Sequence, residues 1–195
     1  MNKPLASVFF ITHPDVLIDP SIPVPEWRLS PRGLARMHAA LWQPWIAGIA
    51  HVASSTERKA REGAAILAAH RGLTPMTHAG LGENNRSATG YLPKAAFEAM
   101  ADAFFARPEE SVRGWERAVD AQTRIAAAVR DVLTAAPAGD VAIVSHGGVG
   151  ALLLCHLQGM PISRAADQPL GMGGHVLAFG RADGRVRHGW RPIDP

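Results

Sequence analysis

Residues 141–144 (Val-Ala-Ile-Val) form a short apolar run, Ser145-His146-Gly147-Gly148 turns the chain, and residues 149–157 read as a helix. This strand-turn-helix unit constrains the fold more than any other feature, because its order recurs along the sequence. Residues 7–12 (Ser-Val-Phe-Phe-Ile-Thr) are β-favouring, and Pro14 stops the run directly after His13. Residues 51–54 read as a second strand, with Ser55 or Thr56 as the cap of a helix reaching about His70. Alternation of this kind predicts a three-layer α/β/α sandwich with a mostly parallel sheet, whose ligand site lies at the carboxyl ends of the strands. His13, Ser55, Glu83 and His146 all fall at such ends.

The stretches between are less regular. Pro20, Pro23 and Pro25 stiffen a loop, after which Ser30-Pro31 supplies a helix cap and a first-turn proline. That helix is expected to reach about Trp42, with a break at Pro44. Residues 75–79 are a weaker strand candidate leading into Gly80-Leu81-Gly82-Glu83. Residues 84–113 hold two helix-like pieces separated by Pro108 and are expected to form a helical lid inserted over the sheet edge. From Ser111, apolar residues at spacings of three and four predict one long amphipathic helix to Thr134. Residues 175–179 and 185–190 flank Ala182-Asp183-Gly184 as a hairpin, giving the sheet an antiparallel edge.

With 195 residues, 47% of them hydrophobic, the chain can bury one sizeable core, and one domain over residues 1–195 is expected. Its longest apolar stretches fall short of the roughly 20 residues that cross a bilayer. Residues 1–11 lack a small-residue cleavage site and are expected to be a strand rather than a secretory signal. The single cysteine, Cys155, excludes an internal disulfide and fits a reducing, cytoplasmic compartment. The net charge of +3 comes from scattered Lys and Arg, so neither nucleic acid nor a membrane is expected as a partner. A small anionic substrate accounts for the surplus equally well; oligomeric state cannot be read.

Two histidines, each just after an apolar strand, carry the chemistry: one imidazole can attack phosphorus while another donates to its oxygens. The helix start after His146 offers free N–H groups that favour a phosphate there. Three other readings fit less well. Ser145 and Ser55 lack a Gly-x-Ser-x-Gly elbow, and His13, His51, His78 and His146 have no metal-ligand spacing. Thr12-His13-Pro14-Asp15 also has no dinucleotide glycine fingerprint.

Together, residues 8–13, Leu29-Ser30-Pro31-Arg32-Gly33, residues 54–60, Leu81-Gly82-Glu83 and residues 141–148 resemble the histidine phosphatase superfamily, which includes the phosphoglycerate mutases. The resemblance implies a six-stranded phosphoglycerate mutase-like sandwich and a covalent phosphohistidine, with no metal or other cofactor. Carried over, it makes His13 the nucleophile, Glu83 the general acid and His146 a phosphoryl ligand, acting on a small phosphorylated substrate. Two positions depart from the family pattern. Thr12 stands where an arginine is usual, and Lys59 stands at the second basic position with Arg58 beside it. Neighbours on a helix point about 100° apart, so one of the two enters the pocket, and Lys59 is favoured. Thr12, Lys59 and Arg58 are thus the candidate phosphate ligands, with Arg86 a possible replacement charge. A metal-independent phosphatase is the expected function; a non-catalytic phospho-ligand or protein-binding member of the fold, or a mutase, are the alternatives.

Overall fold

The computed structural model describes residues 6–169 and 173–194; the first five residues of the strand expected over 1–11 lie outside them. Six strands form one sheet: β1 (Ser7–Thr12), β2 (Ile49–Ser54), β3 (Met76–Thr77), β4 (Asp140–Ser145), β5 (His175–Gly180) and β6 (Val186–Pro192). Their order is β3-β2-β4-β1-β5-β6. The β2–β3, β2–β4 and β1–β4 pairings are parallel, while β1–β5 and β5–β6 are antiparallel. The mostly parallel sheet with an antiparallel end expected from the sequence is therefore present.

The central strands are apolar on both faces, and alternation divides their side chains between two cores. Val8 and Phe10 of β1, Val141 and Ile143 of β4, and Leu177 and Phe179 of β5 point to one side. There α3 (Lys94–Ala106), α4 (Ala118–Ala135) and α5 (Gly147–Gln158) cover them with Phe104, Ile125 and Leu152. Phe9, Ile11, Ala142, Val144, Val176 and Ala178 point the other way. They meet Met37 and Ala40 of α1 (Pro31–Ala40) and Ala60, Ala64 and Leu67 of α2 (Arg58–Arg71). Each large apolar side chain buried in these layers contributes about 1.5–3 kcal/mol.

Local signals explain several boundaries. Ser30 caps α1, its Oγ accepting from Gly33 N at 3.0 Å, with Pro31 in the first turn. Gly33 is required there: a Cβ would lie 2.1 Å from Asp15 O, so its absence lets α1 press against the loop following His13. The helix ends at Ala40, slightly before the expected Trp42.

Two expectations fail for tertiary reasons. Neither Ser55 nor Thr56 caps α2; the cap position is Glu57, and the Ser55 hydroxyl instead meets His146 Nε2 at 2.8 Å. The long helix expected from Ser111 begins only at Ala118. Arg113 and Gly114 take left-handed angles (φ 48° and 81°), and Glu116 exchanges hydrogen bonds with Asn85, holding the chain extended before the helix. Of the segment 84–113, α3 and a 3-10 turn at Val112–Gly114 are helical, and α3 packs Phe104 and Phe105 into the core.

Candidate active site

His13 follows β1, and its backbone N–H donates to Ser145 O of β4 at 3.1 Å, tying the two strand ends together. Its ring lies edge-on to that of His146, with centroids 5.1 Å apart. His13 Nδ1 sits 2.9 Å from Pro14 O. A carbonyl oxygen only accepts, so Nδ1 carries the hydrogen, and in the neutral ring the lone pair is left on Nε2. The ring keeps part of its surface open to a cavity but is otherwise closely enclosed. Burial, reinforced by His146 and Lys59, lowers its pKa to about 3, so the imidazole is neutral at physiological pH.

The cavity beside His13 has a volume of about 210 Å³. Glu83, Asn84, Arg86, Gly148 and Gln168 line it near His13, and Phe97 and Trp115 form an aromatic wall. Arg86 stacks on that wall, its guanidinium 5.0 Å from the Phe97 ring centroid and 5.5 Å from that of Trp115, and lies 3.7 Å from Glu83 Oε2. Arg86 is thus a cation at the cavity, as the sequence allowed.

Glu83 reaches the site on a loop held from two sides. Ser145 Oγ donates to Leu81 O at 2.7 Å, and Arg124 of α4 donates to the carbonyls of Gly80, Gly82 and Glu83. The Glu83 carboxylate accepts from Gly148 N at 3.1 Å and Val149 N at 3.0 Å. Two of the N–H groups at the start of α5, expected to be free for a phosphate, are therefore already taken by an internal carboxylate.

His146 and Lys59 are buried, 1% and 4% exposed, and neither lines the cavity. Glu57 joins them. Its Oε2 accepts from Lys59 Nζ at 2.5 Å, while its Oε1 lies 3.3 Å from His146 Nε2 and accepts from Glu83 N at 3.0 Å. Burial would raise the Glu57 pKa, but His146, Lys59 and the Glu83 N–H outweigh it and bring it down to about 2. Burial lowers the pKa of His146, against the pull of Glu57 and Glu83.

The two remaining expected phosphate ligands are placed elsewhere. Arg58 is half-exposed, pairs with Glu62 at 3.0 Å one turn along α2, and does not line the His13 cavity. Thr12 is buried; its hydroxyl accepts from His175 N at 3.0 Å and donates to Gln168 Oε1 at 2.6 Å. It is Gln168, beyond Thr12, that reaches the cavity.

Sequence reasoning missed Glu57, Gln168, Arg124 and Asp167. Asp167 also lines the cavity, and burial, with Glu83 and Glu98 nearby, raises its pKa to about 6. Among these, Glu57 alone carried a signal, two residues before Lys59 at a helix start. The serines set aside as nucleophiles are held in structural bonds, Ser145 to Leu81 O and Ser55 to His146. Among the described residues, no group of three His, Cys, Asp or Glu could hold a metal ion, and no helix is long and apolar enough to cross a membrane.

No curated protein sequence matches the chain. Among solved structures, YhfR of Bacillus stearothermophilus superposes with a TM-score of 0.75 at 21% identity, over 97% of each chain. A mycobacterial glucosyl-3-phosphoglycerate phosphatase gives a TM-score of 0.71 at 21% identity, over 95% of this chain and 96% of that one. Its complex with inorganic phosphate gives 0.72 at 21% identity, over 95% and 94%. These likenesses establish the fold. Residues 24–187 match the family described as Histidine phosphatase superfamily (branch 1), a match that begins after His13. With most of its length matched, the chain belongs to branch 1 of the histidine phosphatase superfamily.

Proposed function

We propose that the protein is a metal-independent phosphomonoester hydrolase that forms a covalent phosphohistidine on His13. The observation that carries this reading is the His13 ring itself, neutral and fixed by its Nδ1–H bond to Pro14 O, with its lone pair on Nε2 beside the cavity. In this reading Nε2 attacks phosphorus, the P–O bond to the alcohol breaks, and Glu83 delivers a proton to the departing oxygen. Water then cleaves the N–P bond and releases phosphate. Lys59 and His146, buried behind the cavity against Glu57, meet the phosphoryl oxygens once that carboxylate is displaced, joined by Gln168 at the cavity wall. Asn84, which lines the cavity, has an Nδ2 buried without a partner among the described residues and is a further candidate donor. Segment 84–113 acts as a lid over a small substrate, and the lone reduced Cys155 suits the cytoplasm.

The experiment is turnover on a panel of phosphate monoesters, with and without chelator. Activity unaffected by chelation supports the reading; loss on chelation with recovery on added zinc or magnesium replaces it with a metal hydrolase. The grip of Glu57 on Lys59 and His146 favours a second reading, a non-catalytic phospho-ligand-binding member of the fold. A protein that binds phosphate yet hydrolyses no monoester would match it.

A further inference from the structure

The two groups expected to hold the phosphoryl oxygens are not waiting for a ligand. Lys59 Nζ and His146 Nε2 both face the carboxylate of Glu57, at 2.5 and 3.3 Å, and a third donor, Glu83 N, meets the same carboxylate at 3.0 Å. Two cation-capable side chains and a backbone N–H converging on one buried anion is the arrangement a phosphoryl group would itself require. Lys59 also donates to Val24 O at 2.9 Å, and the nearer partner of His146 Nε2 is Ser55 Oγ, at 2.8 Å.

We propose that Glu57 is an internal anion standing in for the phosphoryl group, and that a dianionic ligand displaces it from Lys59 and His146 only when its carboxylate takes up one proton. This rests on assigning the phosphoryl site to His13, Lys59 and His146. The charges explain the need for a proton. Lys59 already pairs with the Glu57 carboxylate, so no uncompensated cation waits there for a dianion. A dianion placed on Lys59 and His146 would stand beside a carboxylate that has just lost its partners, in a poorly hydrated site where like charges repel strongly. Protonation turns that carboxylate into a hydroxyl donor able to bond a phosphoryl oxygen, so atoms and charge balance: one proton from solvent ends on Glu57.

Every titratable neighbour of Glu57 bears on this. From α2 it faces Lys59; from the start of α5, His146; from the loop after β3, the N–H of Glu83. Arg124 of α4 and His13 after β1 also feel its charge. Only Glu57 and His146 combine direct contact with the ligand position and a proton to gain. The specificity consequence is a preference for phosphoryl groups arriving with a single charge, or at mildly acidic pH.

Sulfate is the probe, since it stays a dianion throughout and any proton must come to the protein. Sulfate affinity of the wild type should fall about tenfold per pH unit between pH 6 and 8, with one proton taken up per sulfate in calorimetry across buffers of different ionisation enthalpy. Glu57→Gln keeps the shape and one acceptor oxygen, so either Lys59 or the Glu83 N–H loses its acceptor, and it cannot ionise. It should bind at least tenfold tighter at pH 8, with a flat pH profile and no proton uptake. A flat wild-type profile, an undiminished slope in Glu57→Gln, or absence of sulfate binding in both overturns the proposal. If Glu57→Gln fails to fold, His146→Asn serves: a retained slope supports Glu57 as the proton acceptor, and a lost slope assigns it to His146. Arg58→Ala, whose side chain does not line the cavity, should leave affinity and slope unchanged, and the phosphohistidine reading is scored apart from this, by trapping on His13 during turnover.

Discussion

Thr12 Oγ1 donates to Gln168 Oε1 at 2.6 Å while accepting from His175 N at 3.0 Å, so the position of the family's arginine is a buried link between β1, β5 and the cavity wall. The hydroxyl has one proton, and Gln168 Oε1 is the nearer of its two acceptors, His175 O lying at 3.4 Å. Gln168 Nε2 is thereby turned toward Gly147, where a Cβ would lie 2.6 Å away.

That geometry decides what restoring the arginine would do. Thr12→Arg forces a long cation into a space that is 1% exposed and breaks both bonds. It should lower stability and turnover together, rather than raise turnover. The milder Thr12→Val leaves His175 N without its acceptor and Gln168 Oε1 with His175 Nδ1 alone, 3.2 Å away, and should cost about 1–3 kcal/mol in urea unfolding. A faster Thr12→Arg enzyme on a generic phosphomonoester would show that the guanidinium reaches the cavity after all.

Lys59 and Arg58, adjacent in sequence, should behave oppositely. Arg58→Ala removes a surface pair with Glu62 and should change stability by less than about 0.5 kcal/mol, with turnover unchanged. Lys59→Ala strands a buried carboxylate, so unfolding free energy should fall by about 3–5 kcal/mol. Its effect on kcat should exceed its effect on ground-state phosphate binding. Equal losses in the two variants would contradict the placement of the pocket.

Glu83 is tested by leaving group. Its proposed role is to protonate the departing oxygen, which a poor leaving group needs and a nitrophenolate does not. Glu83→Gln should therefore cut turnover on alkyl phosphates by at least about a hundredfold while leaving p-nitrophenyl phosphate nearly unchanged. Equal losses on both would make Glu83 a cap of α5 and no more.

The pH dependence of stability should carry the signature of His13. Its folded pKa, about 3, lies below the unfolded value near 6.5, so the unfolded chain binds the proton that the native state refuses. Stability is then complete above pH 6.5 and falls as the pH drops toward 3. Asp167, raised to about 6, acts in the opposite sense, its contribution being lost as the pH rises from about 4 through 6. The difference between wild type and His13→Asn isolates the first effect. Wild type should lose more stability than the variant between pH 7 and 4.5, and identical pH profiles would show that His13 titrates normally.

Much of the frame was legible because it depends on local patterns. The apolar strands, the Ser30 cap and the glycine turn after His146 all act over a few residues, and they located His13 and His146 at strand ends; that the two strands are neighbours comes from the fold. The helix start at Ala118 was not legible, because what displaces it is pairing between Glu116 and Asn85, 31 residues apart. The same holds for the Ser55 hydroxyl, diverted from its helix cap to His146 across 91 positions. Within the site, single residues were visible but their partners were not. Nothing near Thr12 in sequence points to Gln168, and Lys59 gave no sign that Glu57 would hold it. Family spacing supplied the expected roles of Glu83 and His146; only the folded chain reveals that both side chains are already engaged within the protein.

The central claim is the covalent intermediate, and rapid acid-free quenching during turnover of a radiolabelled phosphomonoester tests it most directly. The account predicts an acid-labile, base-stable phosphoryl group that maps to the peptide containing His13 and is absent from His13→Ala. Label that persists at full level in His13→Ala, or hydrolysis with no trapped phosphohistidine under any quench, would contradict it.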